Sequence, residues 1–435
     1  MIRIVLILLG REIIQRHWKI LLITGGVWLL LGTFIAIDAL DGKTIIPSRF
    51  FGYFLLPEAA VGLLAAAFSQ GTARRMRVVQ GIALFAVALL ILSATPASHF
   101  TLAMVLGFCF LVDGSVRIGS AWVVRYPRWR LGLMGGIAEV CIAIATLQPW
   151  PTWYAGTVAF NVGAVMILTS LGILNIATRV RRLEEGASIS SIFNRNPLWN
   201  KPDSSSLAHS ANRSELIVHV WTPTGQVMTP LHQRAINRYI AAVDTNGVIS
   251  TGHAALEMAP HVYISHYPAV EIDRSPDEFT RTLRATADNN VPGRFLPSYQ
   301  EESAEWCQST VQVVIKNIDA SRLNAFWQHY SADNTYNLTN RNCSSAVADA
   351  LDAALEGVYR DHNWPIMTAL RAIIYPELWA AALMRKRAES MAWTPGLVLD
   401  YARALSALVD PPKSFLTFPK LRLLKKYANT KQDIS

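Results

Sequence analysis

The early part of this chain carries six apolar stretches, each close to the roughly twenty residues a helix needs to cross a bilayer. They run from Leu21 to Ala39, Gly52 to Phe68, Val78 to Ala97, Thr101 to Val123, Leu131 to Leu147 and Tyr154 to Ala177. A soluble fold cannot absorb so much apolar sequence at that spacing, so the stretches predict an all-α six-helix membrane domain. The charges between them alternate. Arg11, Arg16 and Lys19 precede the first stretch; Arg74, Arg75 and Arg77 lie between the second and third; Arg125, Arg128 and Arg130 lie between the fourth and fifth; Arg179, Arg181 and Arg182 follow the sixth. The other connections hold only Lys43 and Arg49. Under the positive-inside rule both termini face the cytoplasm, as in a multi-pass protein of the bacterial inner membrane. The opening MIRIVLILLG has no small-residue cleavage site before Arg11, and reads as an uncleaved interfacial or re-entrant start.

Composition sharpens this division. The chain has 435 residues, 51% of them hydrophobic, and a net charge of +9. The apolar excess sits before residue 183, so the average hides a membrane half and a soluble half. The basic residues flank apolar stretches and form no stripe interleaved with aromatics, so nucleic acid is not an expected partner. Membrane lipids are. Homo-oligomerisation is left open. The boundaries that follow are 1–182 for the membrane domain, 183–212 for a polar Ser/Asn-rich flexible linker, 213–360 for a soluble domain, and 361–435 for a helical C-terminal region ending in the basic amphipathic FPKLRLLKKYANTK.

Ionisable residues within spans are costly and call for a reason: Glu58, Asp113, Arg117 and Glu139. Asp113 and Arg117 are one helical turn apart, so a local ion pair is available. Packing of the helices and a proton or ion path both account for these charges, with packing favoured. Around Asp113-Gly114, Arg117, Trp129 and Gly135-Gly136, the rhythm of aliphatic span, small residues and aromatic-basic turn resembles the HdeD family of six-span acid-resistance membrane proteins. The resemblance covers about residues 11–182 and implies a role in stress resistance.

The soluble half carries the chemistry. Cys343 stands in Asn340-Arg341-Asn342-Cys343-Ser344-Ser345, directly before the helix-like run AVADALDAALEGV. Asn342 or Ser344 can cap that helix, and its N-terminus favours a thiolate. Ninety residues upstream, Gly252-His253 opens the alternating run AALEM, which predicts a strand headed by a candidate general base. VYISHYP follows after Pro260 and pairs with it as a hairpin, bringing His266 within reach of the far nitrogen of His253 as a third, orienting group. His219 is a weaker competitor for the base. Glu257, Glu271 and Asp273 read as solvated. Strands over Glu215–Trp221 and Val311–Ile315 and a helix over SRLNAFWQHYS complete an α+β unit.

The order of a strand-borne histidine before an NCSS helix start resembles the permuted papain-like enzymes, relatives of the NlpC cysteine peptidases and lecithin:retinol acyltransferase. Tyr336 to Ser345 with the following ALDAAL is also similar to the lipoprotein N-acylation transferase (Lnb-type) domain. The resemblance covers about residues 215–358. It implies Cys343 as nucleophile, His253 as base, His266 as orienting residue and the Cys343 N–H as oxyanion donor. No CxxC pair, Walker A, GxGxxG, HExxH or GxSxG motif is present, so no cofactor or metal is expected, and cysteine usage fits a reducing compartment. The expected activity is that of a membrane-anchored cysteine hydrolase or acyltransferase. It would work through a Cys343 thioester on a membrane-associated peptide or lipid ester, with the Cys/His domain cytoplasmic. The competing expectation is a non-enzymatic membrane stress-resistance protein whose soluble half binds a partner.

Overall fold

The computed structural model describes residues 1–40, 45–67, 71–148, 150–184, 186–193, 214–222, 242–243, 249–250, 252–270, 272, 279–360 and 362–410. Two short helices, α1 (Ile2–Leu9) and α2 (Arg11–Arg16), lead into α3 (Trp18–Asp38), α4 (Arg49–Ala67), α5 (Gly71–Ser93), α6 (Pro96–Val124), α7 (Trp129–Leu147) and α8 (Thr157–Arg181). Among the described residues four segments are long and apolar enough to cross a membrane: Trp18–Asp38, Pro96–Val124, Trp129–Leu147 and Tyr154–Arg181. The second and third expected spans fall on α4 and α5. Residues 68–70 and the side chains of Arg74, Arg75 and Arg77 lie outside the described set. The chain thus combines a helical membrane part with an α+β part.

The long helices pair as α3 with α8, α4 with α5 and α6 with α7. Small residues let the backbones approach. A Cβ on Gly163 would stand 2.7 Å from Gly32 O and 2.7 Å from Ala36 N, and one on Gly114 would stand 2.9 Å from Gly136 O. Large apolar side chains point away from the bundle instead: Leu30 is 75% exposed, Phe108 64% and Val116 60%. That inversion is what lipid, rather than water, outside the bundle requires.

The α+β part has a four-stranded antiparallel sheet in the order β5 (Val262–Ile264), β4 (His253–Met258), β1 (Ser214–Trp221), β8 (Val311–Ile318). A ribbon of β2 (Ala242–Val243) and β3 (Ile249–Ser250) and a three-stranded sheet β6 (His266–Pro268), β7 (Val291–Phe295), β9 (Thr335–Tyr336) complete the strands. The hairpin expected between His253 and Pro268 forms only in part: Glu257 lies opposite Tyr263 and Leu256 opposite Ile264, while His266–Pro268 leaves it to pair with β7. The remaining helices are α9 (Ser190–Phe193), α10 (Phe279–Thr282), α11 (Tyr299–Glu305), α12 (Ala320–Ser331), α13 (Cys343–Ala354), α14 (Pro365–Ala372), α15 (Pro376–Ser390) and α16 (Pro395–Val409). One sheet face, with Val218, Leu256 and Ile315, packs on Val347 and Leu351 of α13 and Val398 and Leu405 of α16. The other face, with Trp221, Ala255 and Tyr263, packs on Tyr299 and Trp306.

This core reaches beyond the boundaries the sequence suggests. Ile4, Leu6, Ile7 and Leu8 of α1 are buried in it rather than facing lipid. Gly357 N–H donates to Ile7 O at 2.8 Å, and Tyr359 N–H to Leu8 O at 2.8 Å. Gly10, at φ +77°, leaves no room for a Cβ, which would stand 2.7 Å from Gly357 Cα. The start of the expected linker is packed too. Ile189 is fully buried, its N–H donates to Glu356 Oε1 at 3.0 Å, and Ser188 Oγ donates to Glu356 Oε2. The physical reason is the same for both segments: the end of α13 is apolar on several sides, and short local elements seal it. Residues 194–213 and 411–435, including the basic amphipathic tail, lie outside the described residues.

Candidate active site

Cys343 is the first residue of α13. Asn342 caps the helix reciprocally with Ser345: its Oδ1 accepts Ser345 N–H at 2.8 Å, and its own N–H donates to Ser345 Oγ at 2.8 Å. Asn342 Nδ2 donates to Leu338 O at 2.7 Å and Trp393 O at 2.9 Å, so the cap is pinned from both sides. The sequence dictates this start. A polar run ends in a good capping residue, and the alanine-rich AVADALDAA follows shortly after. The Cys343 amide belongs to the first turn, where no intrahelical acceptor exists, and it is free to donate toward an incoming oxygen.

His253 opens β4 behind Gly252, whose φ of +70° turns the chain into the strand. The imidazole is buried, lies flat on Tyr267 with ring centres 4.0 Å apart, and is tilted against Trp221. The charges of the imidazole and of the Cys343 sulfur act directly on one another. The His253 Nε2 stands 2.9 Å from Ser265 Oγ and 3.3 Å from Glu302 Oε1. With Nε2 occupied there, Nδ1 is the nitrogen left for sulfur. Glu302, on α11, is itself buried. It accepts hydrogen bonds from Tyr267 OH at 2.7 Å and from Tyr263 OH. Burial first, and then the Glu302 carboxylate, hold both tyrosines protonated far above their ordinary range. They are therefore permanent donors that fix the carboxylate behind the imidazole.

The pair is electrostatically coupled. Burial pushes the Cys343 thiol up, but the charge and hydrogen bond of His253 outweigh it, with Ser344 Oγ and the Ala254 N–H adding to the same effect; the thiol ends below its ordinary value. Burial pushes His253 down, and the charge and hydrogen bond of Cys343 and the charge of Glu302 reverse that, so the imidazole ends above its ordinary value. Both directions favour a thiolate–imidazolium pair.

The third member differs from the one expected. His266 is buried, but its Nδ1 faces Tyr330 OH at 3.1 Å, and its ring lies among Phe295, Tyr330 and Tyr336. Successive residues of an extended chain point to opposite sides. Tyr263, Ser265 and Tyr267 therefore share the side that meets His253 and Glu302, and His266 is turned away. Burial, and then the nearby Arg341 charge, press the His266 pKa down to about 4, so it stays neutral. Its ring also leaves no room for a side chain at Gly293, where a Cβ would stand 2.5 Å from Nε2. Glu257, expected to be solvated, is partly exposed, and its Oε2 lies 3.0 Å from Nε2 of buried His219, which stacks on Tyr299. Glu271 and Asp273 lie outside the described residues.

The structure brings three of the four membrane ionisable residues together. Arg117 Nη1 lies 2.9 Å from Glu139 Oε1 on the neighbouring helix, and Arg117 Nη2 lies 3.9 Å from Asp113 Oδ2. Lys386 of α15 approaches Asp113 at 3.7 Å. Glu58 stands exposed on α4, beside Pro57. No group of three or more His, Cys, Asp or Glu able to hold a metal ion is found among the described residues. Comparison with protein-family models, with curated proteins and with solved structures gives no match to this chain.

Proposed function

We propose that this protein is a membrane-anchored cysteine hydrolase or acyltransferase with a papain-like site next to an HdeD-like helical anchor. In this reading it works through a Cys343 thioester at the cytoplasmic face of a bacterial inner membrane. One observation carries it: a thiol at a helix N-terminus is electrostatically coupled to a buried imidazole whose Nε2 is held by Ser265 and a buried carboxylate.

The steps follow from the chemistry of these groups. The Cys343 thiolate adds to the carbonyl carbon of an amide or ester, and the oxyanion is met by the Cys343 N–H at the positive end of the helix. The tetrahedral adduct collapses by breaking the bond to the leaving group, which takes its proton from the His253 imidazolium. His253, now neutral, removes a proton from water, an amine or a hydroxyl. That nucleophile attacks the thioester and releases the thiolate as leaving group. Glu302 and Ser265 hold the ring orientation throughout. The anchor keeps the site beside membrane-associated substrates, which raises their local concentration.

The test is labelling of the purified full-length protein with an electrophilic probe, read by mass spectrometry. Cys343 labels at neutral pH, and the rate falls on an acid limb well below the ordinary thiol pKa of about 8.5, because the thiolate is lost as pH drops through its lowered pKa. His253→Ala slows labelling at pH 7 by about a hundredfold and moves that limb upward. An unchanged rate and limb in His253→Ala would sink the reading. A second reading, a non-enzymatic stress-resistance protein with a partner-binding soluble half, is favoured by the low exposure of Cys343, only 8%. It predicts that Cys343→Ala leaves any protective phenotype intact.

A further inference from the structure

The region after Tyr359 carries an apolar surface that the proposed chemistry does not use. α14 and α15 form a pair bent by 75° at Ile373–Tyr375, and together they are long and apolar enough to cross a membrane. One side of α15 is locked into the protein. Arg385, buried, donates to Asp352 at 2.9 Å, Asp349 at 3.1 Å and Glu389 at 3.1 Å, while Leu378, Ala381 and Ala388 pack inward beside it. The other side of the pair is rich in large apolar side chains, with Arg371, Lys386 and Arg387 also exposed on it: Trp364 is 76% exposed, Ile374 68%, Leu383 60%, Leu370 52% and Trp379 49%. So many large exposed apolar side chains on two adjoining helices are unusual on a protein surface that faces water.

Two contacts fix where this surface stands. The Ala285 N–H donates to Val124 O, the last carbonyl of α6, at 2.7 Å. Lys386 meets Asp113, eleven residues earlier on the same helix. At 1.5 Å per residue these points lie about 16 Å apart along α6. If α6 crosses the bilayer, α15 lies alongside it at the depth of one leaflet, and the ammonium of Lys386 finds its counter-charge there.

We infer that the bent pair α14–α15 is sunk into the leaflet on the side of the α+β domain, with its exposed apolar side chains covered by phospholipid acyl chains. It does not cross the bilayer, because Arg385 and the buried side of α15 are held in the domain core. The arrangement sets the height of the thiol. Asn342, the cap of the Cys343 helix, donates to Trp393 O just beyond α15, and Asn340 Nδ2 donates to Ala285 O at 3.3 Å, at the contact with the end of α6. The start of the catalytic helix is thus tied to both points that fix the domain against the membrane. This holds whether or not Cys343 reacts, so it stands or falls separately from the enzymatic reading.

The experiment uses the wild-type full-length chain in phosphatidylcholine vesicles doped with a phosphatidylcholine carrying a diazirine on its acyl chain. After irradiation and digestion, lipid adducts are expected on peptides from 364 to 390 at a yield within about threefold of those from α6. Adducts on α6 with none on 364–390 overturn the inference. As a second measurement, a nitroxide at Leu370→Cys or Leu383→Cys, with the four native cysteines replaced by serine, is relaxed by oxygen and by a water-soluble nickel chelate. An oxygen-to-nickel ratio matching a label at Val116 supports lipid contact. A ratio matching exposed Asp288, or protection from both reagents as under a protein partner, overturns it.

Discussion

The helical bundle and the α+β domain obey opposite rules of burial. In the bundle, contact surfaces are built from small residues such as Gly32, Gly114, Gly136 and Gly163, and the large aliphatic side chains face outward. In the domain, the interior is Leu216, Leu256, Ile264, Ile315 and Leu351, all fully buried, and polar groups such as His253, Ser265 and Glu302 enter it as a hydrogen-bonded cluster. The difference teaches what holds each half together. The domain is driven by removal of apolar area from water. The bundle has no such term between its helices once it is in lipid, and relies on close backbone contact.

The contrast can be broken by matched truncations. Leu256→Ala, at a fully buried position of the sheet, should cost about 2–5 kcal/mol. Leu30→Ala, at a 75% exposed position of α3, should cost under about 0.5 kcal/mol. Thermal or denaturant unfolding in detergent, followed through domain tryptophans, reads both, and equal costs would erase the distinction. Gly163→Val tests the other side. It forces a side chain against the α3 backbone and should cost about 1–3 kcal/mol, seen as a lowered bundle melting temperature. The labelling rate of Cys343 per folded molecule should stay as it was, and a parallel loss of labelling would mean the halves are coupled more tightly than described. The smallest effect sharpens the polar cluster. Glu302→Gln keeps volume but removes the charge behind His253, and should slow Cys343 labelling about tenfold while shifting its acid limb upward. A lowered rate with an unmoved limb would mark Glu302 as a packing residue only.

Much of this was readable in the residues, and the failures have physical causes. The Cys343 helix was legible because Asn342 and Ser345 stand at capping spacing before a run of small helix formers. The strand of His253 was legible from its alternation after Gly252. The partner of His253 was not. Alternation divides Tyr263, Ser265 and Tyr267 from Ile264 and His266 but does not say which set meets the imidazole, and chemistry alone favours a histidine. Glu302 was hidden for a different reason. Acidic residues after Ser298 are what any capped helix start shows, so a functional carboxylate there carries no distinguishing mark. The segment Ile2–Leu9 illustrates a third limit. An eight-residue aliphatic helix has the same composition whether it faces lipid or completes a protein core, and only the rest of the fold decides.

That helix has a consequence for how the molecule is made. Its hydrogen-bonding partners, Gly357 and Tyr359, emerge from the ribosome some 350 residues later, on the order of half a minute at ordinary elongation rates. Throughout that interval the sticky opening turn must wait while the long helices after it are threaded into the bilayer. A fragment starting at residue 213 would be born with an open furrow where Ile4 and Leu8 belong. The two halves are therefore not beads on a string: the molecule is closed by its opening helix meeting its last third, with the membrane segment lying between them in the sequence.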